Sequence, residues 1–147
     1  MSDFRKLTDD ISASPQISVA DVEQAAEQGF ALIVNNRPEG ESPDQPTGAE
    51  IEAAAKAAGM AYVAIPIDPA TGFGEEKIDA MAAALAETQG PALAFCRSGT
   101  RSTLLWSLSQ AKAGRDLDEI AETAARAGYD ISPIMPMMQA LAARSSG

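Results

Sequence analysis

The chain has 147 residues, the length of one ordinary domain, and 46% of them are hydrophobic; aromatics make up only 5%, so aliphatic side chains must fill the core. A formal net charge of −10 argues against a broad grip on nucleic acid or an anionic membrane, yet leaves room for a small anion at one local basic spot. There is no histidine and one cysteine, which removes Ser-His-Asp and Cys-His catalysis, His-ligated zinc, an internal disulfide and a Cys-x-x-Cys pair; no metal or cofactor is expected.

Residues 1–14 are polar and read as an arm or short edge segment. Ser18 caps a helix running to Gly29, with Val19, Val22, Ala25 and Ala26 on one side. Residues 30–34 form a continuous apolar run, the pattern of a strand covered on both faces, and a polar loop follows from Asn35 to Pro46. Thr47 and Glu50 have capping-box spacing and open a helix that stops at Gly59. The next strand spans 61–67, then a loop with two glycines, Asp68 to Gly74, is a candidate flap. Residues 75–89 read as a helix with Ile78, Met81, Ala82 and Leu85 inward, and 91–95 as a short buried strand. A helix from Ser102 to Ala113 ends at Gly114, and one capped by Asp116 or Asp118 ends near Gly128. Ser132-Pro133 opens a last helix to about Ala143, and a frayed tail is expected at 145–147.

Strand and helix alternate without repeats or a dividing linker. The expected fold is therefore a single α/β domain over 1–147, a three-layer arrangement with a mainly parallel sheet of four or five strands flanked by helices. Ligands of such sheets sit at the carboxyl ends of the strands, and Asn35, Asp68 and Cys96 each follow a strand, so they should share one edge. With no apolar leader or spanning run and a lone thiol, the expected location is the cytoplasm.

The chemistry concentrates in the loop Cys96-Arg97-Ser98-Gly99-Thr100-Arg101-Ser102, between a buried strand and a helix start. Turn amides and a helix N-terminus favour a thiolate there, and the thiolate is the reactive form of cysteine. Gly99 permits a backbone conformation that a side chain resists, Arg97 and Arg101 add positive charge, and Ser102 is placed to cap the helix or bond the sulfur. Ser98, Gly99, Thr100 and Ser102 are candidate anion-binding residues, with Arg97 pointing mostly outward and Arg101 inward. An inert core thiol at Cys96 and a surface ion pair at Arg101 are the plainer alternatives. Arg37, with Asn35 and Asn36, reaches this site or braces it; Glu39 and Glu41 read as solvated. Trp106 and the cluster Met135, Met137 and Met138 read as core.

The segment from Pro15 to about Lys112, roughly two-thirds of the chain, resembles the beta-lactamase-hydrolase-like phosphatase domain family, also called DUF442, whose members are also catalogued as sulfur transferases. The resemblance rests on Pro15-Gln16-Ile17-Ser18, on the stretch from Val34 to Glu41, and on the Cys96 loop. It implies the cysteine-dependent phosphatase fold with a phosphate-binding loop, and a general-acid aspartate on an upstream loop, the place held by Asp68. Asp68 before Pro69 also reads as a turn former, and Glu75 and Glu76 are weaker acids for this role, expected in a helix's first turn. Two departures favour sulfur: four residues separate Cys96 from Arg101 where such phosphatases have five, as in many rhodanese-like sulfurtransferases, and Phe95 stands in place of a histidine.

The first expectation is thus a phosphatase-like hydrolase that forms a thiophosphate on Cys96, with Arg101 and the loop amides holding the oxygens and Asp68 protonating the leaving group. The second is a sulfurtransferase carrying a Cys96 persulfide, and the third a non-catalytic anion-binding or thiol redox-sensing module. The expected substrate is a small phosphate ester, a phosphoprotein or a sulfane-sulfur compound, with neither nucleic acid nor membrane as partner; the sequence leaves the oligomeric state open.

Overall fold

The structure is a computed structural model that describes residues 3–146, the last two by backbone alone. Five strands form one sheet in the order β1-β2-β5-β3-β4. Arg5–Thr8 (β1) and Ile11–Ser14 (β2) make an antiparallel hairpin; Leu32–Asn35 (β3), Ala61–Ala64 (β4) and Ala92–Phe95 (β5) run parallel to β2. This agrees with the expected mainly parallel sheet, and it corrects the reading of residues 1–14 as an arm. β1 is an edge strand, but β2 lies inside the sheet with all four residues buried. The sequence Ile-Ser-Ala-Ser reads as polar because its alternate positions are serines, yet Ser12 and Ser14 are buried.

Side chains alternate between the two faces, as the pleat requires. Ile33, Leu93 and Phe95 pack with Val22, Ala25, Ile51 and Ala55 from helices Val19–Glu27 (α1) and Gly48–Ala57 (α2). Leu32, Val34, Ala92 and Ala94 face the larger cluster on the other side. That layer holds Glu75–Glu87 (α3), Thr100–Lys112 (α4), Leu117–Arg126 (α5) and Met135–Ser146 (α6), the last preceded by a 3-10 turn at Ser132–Ile134. None of the helices among the described residues is long and apolar enough to cross a membrane.

Local chemistry sets the helix starts. Ser18 and Asp21 form a reciprocal capping box at α1. At α2 the Thr47 hydroxyl accepts from the Glu50 N–H, and the Gly48 N–H donates to the Glu39 carboxylate at 2.8 Å. Glu39 is exposed, as the sequence implied, and its carboxylate also caps α2. Asp116 caps α5 by accepting from the Asp118 N–H.

α4 begins two residues earlier than expected and is buried on most of its surface, including Ser102, Thr103, Ser107 and Ser109. Thr103, Ser107 and Ser109 donate their hydroxyls to the helix's own carbonyls, so three of these polar groups are buried without losing a hydrogen bond. Trp106 and Met138 are core, as expected; Met137 is 40% exposed, since α6 turns that position outward.

The layer structure yields a stability test. Leu93, fully buried on β5, should lose about 2–5 kcal/mol on Leu93→Ala, whereas Val19→Ala, 43% exposed at the start of α1, should stay within about 0.5 kcal/mol in denaturant unfolding.

Candidate active site

β5 lies between β2 and β3, with Phe95 in register with Ser14 on one side and Asn35 on the other. The chain leaving β5 is therefore held from both flanks. The Cys96 N–H donates to the Ser14 carbonyl at 3.3 Å, and the Gln16 N–H donates to the Arg97 carbonyl at 3.2 Å. Cys96 itself is completely buried. Gly99 then takes φ +92°, and its N–H donates to Cys96 Sγ at 3.1 Å. A Cβ at Gly99 would overlap the Tyr129 hydroxyl and crowd the Ser14 backbone, so only glycine fits.

Gly99 is also the N-cap of α4, which places the sulfur beside the positive end of a 13-residue helix. Ser102 does not fill the cap position, and its buried hydroxyl has no hydrogen-bond partner among the described residues, the sulfur included. Arg97, Ser98 and Thr100 are exposed. The Ser98 hydroxyl donates to Thr100 Oγ1 at 2.9 Å and accepts from the Thr100 N–H at 3.3 Å, so part of the loop's bonding capacity is spent internally.

Arg101 points back over the loop toward two other segments. Its Nη1 and Nη2 donate to the two oxygens of Glu41 at 2.7 and 2.8 Å, and Nη1 also donates to the Ile67 carbonyl at 2.9 Å. This takes the end of the guanidinium fork. The side edge, made of Nε–H and the second Nη2–H, meets no carboxylate or carbonyl among the described residues. The Arg101 pKa is raised above its ordinary value, chiefly by the Glu41 bonds and also by the neighbouring Cys96 sulfur, with burial opposing. From the sequence, Arg101 is expected to aim its guanidinium into the anion pocket; its hydrogen bonds instead run to Glu41 and the Ile67 carbonyl, outside the Cys96 loop.

Glu41 was read as solvated; its side chain is only 19% exposed because it sits between two guanidinium groups. Arg37 donates from Nε to the same carboxylate at 3.0 Å, and from Nη1 to Gln16 Oε1 at 3.0 Å. Arg37 is nearly buried and therefore braces the site. Its N–H donates to Asn35 Oδ1, while the Asn36 side-chain amide donates to the Ile65 carbonyl, so both asparagines organise the loop after β3. A cleft of about 280 Å³ opens between Gln16, Arg37, Asp44 and Arg97. A larger cavity, about 460 Å³, lies at the amino ends of the strands between Asp10, Leu85, Trp106 and Arg115, away from the thiol.

Asp68 is exposed, and its Oδ1 accepts the Ala70 N–H at 2.8 Å, the geometry of a turn former. It is nonetheless bonded through the chain to Ile67, whose carbonyl touches Arg101, so its backbone stands at the rim of the site. Glu75 lies in the first turn of α3, paired with Lys112 and Arg144, and is committed to holding helices together. Among the described residues no group of three Cys, Asp or Glu side chains is arranged to hold a metal ion.

Sequence reasoning missed Ser14, Gln16 and the role of Glu41. Only Glu41 left a usable signal: an acid four residues after Arg37. The two arginines hold the Glu41 carboxyl at about 2, with the Arg101 hydrogen bond the largest cause. A carboxyl depressed on folding adds stability that is fully present above its ordinary value of 4.5 and is lost as the pH falls toward 2. The wild type should therefore be more stable than Glu41→Gln at neutral pH, and the gap should close between those two values in an acid titration of chemical denaturation midpoints.

Comparison with known proteins agrees with this architecture. The sequence model of the family described as beta-lactamase hydrolase-like protein, phosphatase-like domain, matches residues 3–113. A beta-lactamase hydrolase-like protein of Agrobacterium fabrum is 35% identical over 130 residues, which cover 86% of this chain and 29% of the relative. The chain thus spans under a third of that relative's length. Among solved structures, a candidate phosphatase from Neisseria meningitidis superposes with a TM-score of 0.84 at 30% identity, covering 95% of this chain and 98% of that one. Tk-PTP in its active form gives a TM-score of 0.77 at 17% identity over 97% of each chain, a likeness of fold. The chain belongs to the beta-lactamase hydrolase-like, phosphatase-like domain family.

Proposed function

We propose that this domain is a cysteine-dependent phosphatase acting on a phosphate monoester of a small molecule or a phosphoprotein. The observation that carries the reading is the Arg101 guanidinium, which neighbours the Cys96 sulfur at the start of α4 and has a side edge that takes no carboxylate or carbonyl among the described residues, while Glu41 fixes its other end. Such an edge suits two oxygens of a phosphoryl group, and the helix terminus adds to their stabilisation. The Cys96 thiolate attacks phosphorus, a sulfur–phosphorus bond forms, and the bond to the ester oxygen breaks. That oxygen leaves with a proton from Asp68; water then attacks the phosphorus, gives a proton back to Asp68, and the sulfur–phosphorus bond breaks to release phosphate. In this reading Arg97, Ser98 and Thr100 line the mouth, and Arg37 acts through Glu41 rather than on substrate. The net charge of −10 supports a small or peptide-borne phosphate over a polyanion.

One observation supports sulfur transfer as the second reading. The loop has four residues between Cys96 and Arg101, and a single amide, that of Gly99, hydrogen-bonds the sulfur. A bowl of that size suits one added sulfur atom. Parallel assays with phosphate esters and with thiosulfate plus cyanide separate the two readings. Cys96→Ser should abolish phosphate-ester turnover, and Asp68→Asn should slow esters with poor leaving groups by about 10²–10⁴ while sparing activated aryl esters. Turnover of thiosulfate with no turnover of any phosphate ester would replace the first reading by the second.

A further inference from the structure

We infer that Tyr129 is a positioning residue for Cys96, holding the Ser98–Gly99 peptide in the orientation that aims its N–H at the sulfur. The inference rests on Cys96 as the reactive group. It starts from the two ends of one peptide unit. The Tyr129 hydroxyl donates to the Ser98 carbonyl at 3.2 Å, and the Gly99 N–H donates to Cys96 Sγ at 3.1 Å. The bond is trans, so its C=O and N–H point in opposite directions. Fixing one end fixes the other.

The need for a fixed end comes from Gly99. Its φ of +92° is available to glycine at little cost, but so are many other values, and a half-turn of this peptide would bring the Ser98 carbonyl oxygen to the sulfur in place of the N–H. A carbonyl dipole repels a thiolate where an N–H attracts it. The hydroxyl of Tyr129 opposes that rotation from outside the loop, and its close approach leaves no room for a side chain at position 99.

The ring is itself held. Tyr129 is 6% exposed, and its N–H donates to the Ala124 carbonyl at the end of α5. The Arg5 guanidinium carbon lies 5.2 Å over the ring centroid, and Arg5 is in turn paired with Asp3 at 3.1 Å. Burial raises the phenol pKa above its ordinary value, which keeps the hydroxyl protonated and able to donate. Tyr129 lies beyond residue 113, outside the segment matched by the family model, so the loop depends on a residue that the family match does not contain.

Tyr129→Phe keeps the ring and removes only the hydroxyl. Because the chain has one cysteine, the thiolate ultraviolet absorbance, measured against a Cys96→Ser background, reports this sulfur alone. The titration midpoint should move up by about half to one pH unit, less than a whole hydrogen bond to a charged group because the Gly99 N–H is loosened and not removed. Turnover of an aryl phosphate should fall by about 3- to 10-fold at neutral pH, more in kcat than in KM. An unchanged midpoint overturns the inference, including the case in which thermal stability falls. The titration needs no substrate, so it decides the role of Tyr129 even if no phosphate ester is turned over. Should Tyr129→Phe not fold, Arg5→Met, which frees the ring but leaves the hydroxyl, should move the midpoint in the same direction by less; no movement there overturns it equally.

Discussion

Glu41 lies between Arg37 and Arg101, and that one carboxylate ties the loop after β3 to the arginine at the start of α4, beside Cys96. Two guanidinium groups against one carboxylate leave a local excess of positive charge in a chain whose net charge is −10. In the proposed reading an incoming anion meets a small attractive centre within a repulsive surround. Such a field admits a compact, doubly charged group and disfavours a long polyanion. The pairing also takes both terminal nitrogens of Arg101. Without Glu41 the side chain would lose its end-on anchor, and a nearly buried Arg37 would be left short of its partner, a costly arrangement in a place of low dielectric.

The loop and its two flanking elements were legible in the sequence because their signals are local. An apolar run ends at Phe95, glycine marks the turn, and a helix follows within a few residues. The carboxyl-edge grouping of Asn35 and Cys96 was legible for the same reason, since strand order does not matter to which end a loop leaves. What escaped depends on partners distant in the chain. Glu41 and Arg101 are 60 residues apart, and although Arg37 lies close in the chain, nothing near Glu41 announces that a second cation will arrive. β2 escaped because its alternate positions are serines, which read as surface until the helices that cover them are known. The hydroxyls of Thr103, Ser107 and Ser109 hid the burial of α4 in the same way, each satisfied by a carbonyl one turn back or nearer. Asp68 illustrates a residue that local rules read in two ways: its side chain makes a turn, while its neighbour Ile67 touches the site.

The interior place of β2 bears on the order in which the molecule assembles. Ile11 pairs with Ala92, and Ser14 with Phe95, so the hairpin's inner edge has no partner in the sheet until β5 exists. Most of the chain must be collapsed before that ladder closes, and the entropy of closing so long a loop falls on this step. β3 and β4, joined through α2 and paired directly, carry a far shorter closure. The strand that supports the thiol is thus the junction of an early half and a late seam. Because the Ser14 and Gln16 bonds to the loop form along that seam, the proposed reactivity of the sulfur rests on the longest-range strand pairing among the described residues.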